Sequence, residues 1–152
     1  MYTNVKFEEG KRIIVVSDIH GDLTTFKKLL NKCEYNEEED YLIILGDFLE
    51  KGTEILDTVH YVMELSKKER VYVLKGNCDR ALEYCSNDDG LQDGIGYIKR
   101  MKNTIFTEKA KELEIVINEP DDLKEVVSHL QEEKEFIDIF TISQMTPGPI
   151  GI

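Results

Sequence analysis

Apolar positions along this chain follow two rhythms, and the points where one gives way to the other mark its elements. Ile13 to Val16, Tyr41 to Leu45 and Val71 to Leu74 are unbroken apolar runs rich in β-branched residues, as buried strands require. Between the first two, Leu23, Phe26, Leu29, Leu30 and Cys33 fall three and four apart, which predicts an amphipathic helix with Asp22 in N-cap position. Ile55, Leu56, Val59, Val62 and Met63 repeat that spacing between the second and third runs. Ahead of the first run, "NVKF", "EEG" and "KRIIVVS" read as a hairpin turning at Gly10. Strand, helix, strand, helix, strand in succession predicts parallel strands joined by right-handed crossovers, with helices covering the sheet.

Beyond Arg80 the rhythm becomes helical throughout. "LQDGIGYIKRMKN" and "TEKAKELEIVI" have mixed faces, and Leu123, Val126, Val127 and Leu130 recur behind Pro120 and Asp121, a helix start. There is no internal repeat and no low-complexity linker. A boundary near residue 86, at "SNDDG", divides a sheet half (1–85) from a helical continuation (86–135), followed by an atypical tail (136–152). A chain of 152 residues suffices for one domain with a real core.

Composition then narrows the partners. Thirty-one acidic against 19 basic side chains give a net charge of -12, which repels phosphate backbones and anionic lipid alike, so neither nucleic acid nor membrane is an expected partner. Cys33, Cys78 and Cys85 are odd in number and lack CxxC spacing, which fits a reduced cytoplasm better than a disulfide framework or zinc ribbon. No basic-plus-apolar leader opens the sequence, and no apolar run approaches the roughly 18 to 20 residues that cross a bilayer.

Each predicted strand ends in a polar cluster: "SDIHGD", "GDFLEKG" and "GNCDR". In a parallel sheet these ends share one edge, where ligands bind, so Asp18, His20, Asp47, Asn77 and Asp79 are expected to converge. Converging carboxylates repel one another and are costly to bury unpaired. A divalent cation relieves both problems, and oxygen donors with an imidazole suit Mn, Fe or Zn. Gly21, Gly46 and Gly76 allow backbone to approach a metal or phosphate closely.

These clusters stand as D-x-H-G-D (Asp18 to Asp22), G-D-x-x-E-K-G (Gly46 to Gly52) and G-N-C-D (Gly76 to Asp79). Over roughly residues 11 to 80 the chain resembles the calcineurin-like metallophosphoesterases, in particular their bacterial serine/threonine-phosphatase-like branch. The resemblance implies an α/β fold, with a metallophosphoesterase-type β-sheet, flanking helices and a second sheet half that is incomplete here, ahead of the helical C-terminal part. It also implies two divalent metal ions: Asp18 and His20 on the first, Asp47 bridging both and Asn77 on the second. Two such ions hold a bridging hydroxide that attacks phosphorus in line.

The same resemblance makes Asp47, Cys78 and Asp79 the catalytic set and Glu50, Lys51 and Arg80 the substrate-binding set. Lys51 stands where the family has a phosphate-binding arginine, keeping the charge but losing the bidentate fork. Cys78 replaces the histidine that protonates the leaving group, and Glu50 replaces that histidine's aspartate partner, so good leaving groups are expected to react best. The implied substrate is a phosphoprotein or a small phosphate ester. Alternatives are a dinucleoside polyphosphate or cyclic phosphodiester, or a metal-binding fragment without activity.

Downstream, the family supplies further histidines, but only His129 follows Asn77, and it lies on a helical face. The last residues, "ISQMTPGPIGI", are similar to a chromate-transporter segment, as if the phosphoesterase pattern were truncated or joined to other sequence. Half of a two-sheet core would leave apolar strand faces open and favour a homo-oligomer. Simpler readings stand beside these: Asp22 as an N-cap, Glu50 as a solvated carboxylate, His60 as a surface residue and Cys33 as a small apolar residue on a core face.

Overall fold

In a computed structural model, which describes residues 4–74 and 88–133, the three apolar runs pair as a parallel sheet in the order β1 (Ile13–Val16), β2 (Tyr41–Ile44), β3 (Val71–Val73). Ile13 pairs with Tyr41 and Val16 with Ile44, and Ile44 in turn pairs with Val73. α1 (Leu23–Lys32) and α2 (Ile55–Ser66) supply the crossovers. Each crossover moves one strand in the same direction, so right-handedness sends both helices to one face. There Phe26 of α1 meets Tyr61 of α2 edge-on, 5.8 Å between centroids. Val16, Leu42 and Ile44 are buried in the same core as Phe26, Leu30, Val59, Val62 and Met63.

The central strand is buried at every position, but β1 is not. Ile13 and Val15 are 43% and 54% exposed, so the first run is a half-covered strand rather than the fully buried one its composition predicts. The expected hairpin is also absent. Residues 4–12 form no strand, although the chain does turn at Gly10, with φ +81. Instead Phe7 packs edge-on against Tyr41 (4.9 Å) and Tyr72 (6.4 Å), and the Glu8 N–H donates to the Tyr41 hydroxyl at 3.1 Å. Aromatic contacts over the face opposite α1 and α2 have taken the place of a backbone ladder at the edge.

α3 (Asp88–Met101), α4 (Ile105–Leu113) and α5 (Pro120–Glu132) complete the described chain. α3 and α4 both pack on α5, and α4 packs on α2, so the helical part joins the sheet through one continuous core running from Val16 to Leu130. α4 starts earlier than its periodicity suggests because Thr104 and Thr107 cap it reciprocally, and it stops at Leu113 because Glu114 turns left-handed at φ 58. Pro120 opens α5, where Asp122 accepts the Asn118 and Glu119 N–H groups at 3.0 Å each. Among the described residues no helix is long and apolar enough to cross a membrane.

The start of β1 is tied to the turn before β2 through Asp40. Arg12 donates to it from Nε (3.1 Å) and Nη2 (2.6 Å), and the Asn36 N–H adds a third bond at 2.9 Å. The guanidinium first and the amide second hold the Asp40 carboxyl below the ordinary carboxylate value. A carboxyl whose folded value is depressed adds stability above its unfolded pKa, about 3.9, and loses it as pH falls through the folded value. Asp40→Asn is therefore expected to lower the urea midpoint at pH 7 and to flatten the loss of stability below about pH 4, both readable by circular dichroism.

Candidate functional site

β1 and β2 run parallel, so the loops that leave them, Ser17–Asp22 and Leu45–Gly52, emerge at the same edge of the sheet. Asp18 (φ 57), His20 (φ 48), Asp47 (φ 58) and Lys51 (φ 76) are all left-handed, four of the seven non-glycine residues described in that conformation. Such strain persists only where surrounding contacts enforce it. Here the backbone contacts are explicit. The Leu45 N–H donates to Val16 O (2.8 Å), the His20 N–H to Asp47 O (2.9 Å) and the Glu54 N–H to Gly21 O (2.9 Å). Gly52 lies directly against the first loop, where a Cβ would overlap the carbonyl oxygens of His20 and Gly21. Gly21, at φ +66, has Ile55 Cγ1 where its own Cβ would need space, 2.6 Å away.

Asp18 and His20 form the side-chain pair of this edge. Asp18 Oδ1 lies 3.3 Å from His20 Nε2, and Oδ2 accepts the Ser17 hydroxyl at 3.0 Å. The Asp18 side chain is 62% exposed and His20 only 27%, and His20 Nδ1 is buried with no hydrogen-bond partner among the described residues. Asp47, half-buried, is bonded to His20 through the backbone. A shallow cleft of about 170 Å³ adjoins Asp18 between the end of β1 and α1, edged by Ser17, Asp22 and Thr25 over Phe26 and Leu29.

The donor set of carboxylates and an imidazole that, among the described residues, lacks a partner at one nitrogen fits a divalent cation better than it fits an apolar ligand. Among the described residues, however, no group of three or more histidine, cysteine or acidic side chains closes around a point where an ion would sit. The described chain brings Asp18 and His20 together and joins Asp47 to them by backbone. Asn77, Cys78, Asp79, Arg80 and Cys85 lie outside the described residues, as does the tail from 136 onward.

Other expected residues fall elsewhere. Asp22 caps α1, accepting the Thr25 N–H (3.1 Å) and hydroxyl (2.8 Å), and the hydroxyl above all holds its carboxyl below the ordinary value. Glu50 is not a solvated carboxylate: it is 2% exposed and accepts the Tyr97 hydroxyl of α3. That burial turns it toward the helical half, in place of the expected substrate contact. Lys51 is exposed. His60, half exposed on α2, stands 3.9 Å from Glu133, and His129 is half-buried in the last turn of α5.

Several supporting residues escaped sequence reasoning. Glu54 accepts the Thr24 N–H (3.0 Å) and hydroxyl (2.6 Å), so the residue that precedes α2 helps cap α1. The carboxylate of Glu108, on α4, accepts both the Ile55 and Leu56 N–H groups at 2.9 Å and caps α2 from another helix. The second loop is further pinned by Ile105 N–H to Leu49 O (3.1 Å), Lys51 N–H to Asn103 O (2.9 Å) and a bridge between Glu50 and Thr104. Glu54 had a position signal, being the residue before an apolar helix; Tyr97 and Glu108 had none.

If the two loops depend on their backbone contact, Gly52→Ala should push them apart. It is expected to cost about 2 kcal/mol or more, read from urea unfolding. Lys51→Gly, which relieves φ 76, should instead stabilise by about 1 kcal/mol.

A family model described as calcineurin-like phosphoesterase matches residues 11–145, well beyond the 11–80 carried by the motifs. Among curated relatives, a symmetrical bis(5'-nucleosyl)-tetraphosphatase of Buchnera aphidicola subsp. Acyrthosiphon pisum (strain Tuc7) is 42% identical over 64 residues, 42% of this chain and 23% of that protein. A serine/threonine-protein phosphatase 1 of Salmonella typhimurium is 27% identical over 64 residues, 42% of this chain and 30% of that protein. A crystal structure whose description names a diadenosine tetraphosphatase overlaps 79% of this chain and 43% of its own, at 21% identity and a TM-score of 0.46. The chain thus spans less than a third of the length of these two curated relatives. The transporter resemblance of the last residues finds no support in these matches, and the phosphoesterase model itself extends into that segment.

Proposed function

The chain belongs to the calcineurin-like phosphoesterase family, and from that premise we propose that it is a metal-dependent phosphoesterase acting at the edge where β1 and β2 end. The observation that carries this reading is the 2.9 Å bond from His20 N–H to Asp47 O, beside a buried His20 Nδ1 with no partner among the described residues. It joins the donor-bearing loops of the first and second motifs before any ligand arrives.

In this reading Asp18, His20 and Asp47 hold divalent cations, with Asn77 as the remaining donor. Such cations supply charge neutralisation at the phosphoryl oxygens and make water a usable nucleophile near neutral pH. Lys51, exposed on the second loop, meets a phosphoryl oxygen with its ammonium. In a chain of net charge -12 this local positive group gives an anionic substrate its point of attachment. A point charge orients less strictly than a bidentate arginine, so substrates with good leaving groups suit the site. Small phosphate esters and phosphoproteins both meet this description, and the names of the relatives add bis(5'-nucleosyl) tetraphosphates as an alternative substrate. We also propose a reducing cytoplasm as the setting and Mn, Fe or Zn as the metal.

A second reading, metal binding without turnover, has an observation of its own. Of the three histidines in the chain, His60 and His129 lie on α2 and α5, and the described residues close no three-ligand group.

Titration calorimetry with Mn²⁺, followed by hydrolysis assays on p-nitrophenyl phosphate and on diadenosine tetraphosphate, separates the readings. The enzyme reading expects two metal equivalents, turnover of the aryl ester, and a loss of about a hundredfold or more in Asp47→Asn. One equivalent without turnover supports the second reading, and preference for the tetraphosphate supports the alternative substrate. No heat of binding, together with an Asp47→Asn protein identical to its parent, overturns both.

A further inference from the structure

The side chain of Glu50 points away from solvent between the two residues the reaction would use from the second loop, Asp47 and Lys51. Phe48, Leu49 and Glu50 are all at most 2% exposed. A carboxyl group at such a depth needs hydrogen-bond partners, and a phenol hydroxyl is a strong donor. The Tyr97 hydroxyl donates to Glu50 Oε2, and the Tyr97 ring is itself fixed edge-on against Phe106, 6.5 Å between centroids at 84°.

We propose that Tyr97 is a positioning residue for phosphate binding: through Glu50 it holds the second loop so that Lys51 stays left-handed with its ammonium presented to the phosphoryl group. This rests on the phosphoesterase reading for its substrate but not for its geometry. Asp47 is held from the other side by His20 N–H, whereas the Lys51 N–H is held from the helical half by Asn103 O, and its neighbour Glu50 by Thr104 and Tyr97, while Gly52 on its other side lies against the first loop. A lysine at φ 76 reverts to an ordinary conformation when such contacts slacken. Tyr97 thus acts on Lys51 and leaves the Asp18–His20 pair untouched, a division that ordinary destabilisation would not produce.

The test is a double-mutant cycle on Tyr97→Phe and Lys51→Met, read as the dissociation constant of inorganic phosphate by ³¹P NMR, with and without Mn²⁺, and as KM and kcat for p-nitrophenyl phosphate. Tyr97→Phe is expected to weaken phosphate and raise KM about tenfold, with kcat and Mn²⁺ affinity within about twofold of the parent. Lys51→Met should weaken phosphate and raise KM at least as much, and the double variant should be no worse than Lys51→Met alone. Additive losses, or a lower melting temperature with unchanged phosphate binding, overturn the proposal, as does a parent protein that binds no phosphate. If the parent binds phosphate and the cycle is non-additive but no ester turns over, Tyr97's role stands and the enzyme reading falls. Should Tyr97→Phe fail to fold, Glu50→Gln, which still offers the tyrosine an acceptor, should keep phosphate affinity within about twofold, while Glu50→Leu should lose about tenfold; equal losses in both overturn the proposal.

Discussion

Everything at the edge where β1 and β2 end depends on two loops being bonded to each other through their backbones. Acidic and imidazole side chains from different loops do not gather on their own, since like charges repel and desolvation opposes their approach. In this protein the approach is made by neutral groups. The His20 amide gives its hydrogen to the Asp47 carbonyl, and Gly52 lets the second loop lie flat on the first. The left-handed conformations at Asp18, His20 and Asp47 follow from this constraint, because chain leaving adjacent parallel strands must turn sharply to meet again.

Around those loops the helix starts satisfy one another. Asp22 caps α1 from within, Glu54 adds to that cap from the threshold of α2, and Glu108 reaches from α4 to cap α2. Each carboxylate sits at the positive end of a helix, where it satisfies orphan N–H groups and the helix dipole together. The consequence is structural coupling: the helical part from Asp88 onward is bonded to the start of α2 and to the loop that carries Asp47 and Lys51. Membership of the phosphoesterase family over residues 11–145 accords with that continuity.

The two faces of the sheet have unequal fates. α1 and α2 cover one face because both crossovers turn the same way, while on the other Phe7 covers Tyr41 and Tyr72, and Ile13 and Val15 stay exposed. Composition alone made β1 resemble β2; position in the sheet made them different. β2 has a neighbour on each side, whereas β1 is an edge strand among the described residues.

What the sequence determined by itself was everything with a local cause. Periodicity located α1, α2 and α5, unbroken β-branched runs located the three strands, and Asp22 and Pro120 marked helix starts, because capping and side-chain spacing act within a few residues. Parallel strand order also placed the loops of Asp18, His20 and Asp47 at one edge, while Asn77 and Asp79, expected beside them, lie outside the described residues. Only the tertiary structure decided that Glu50 turns inward to Tyr97, that Glu108 caps a helix 52 residues earlier in the chain, and that the hairpin before β1 gives way to an aromatic contact. Those outcomes depend on which groups meet across elements distant in sequence. A carboxylate reads the same in the chain whether it is solvated, capping a helix or buried against a phenol, and its partner settles which.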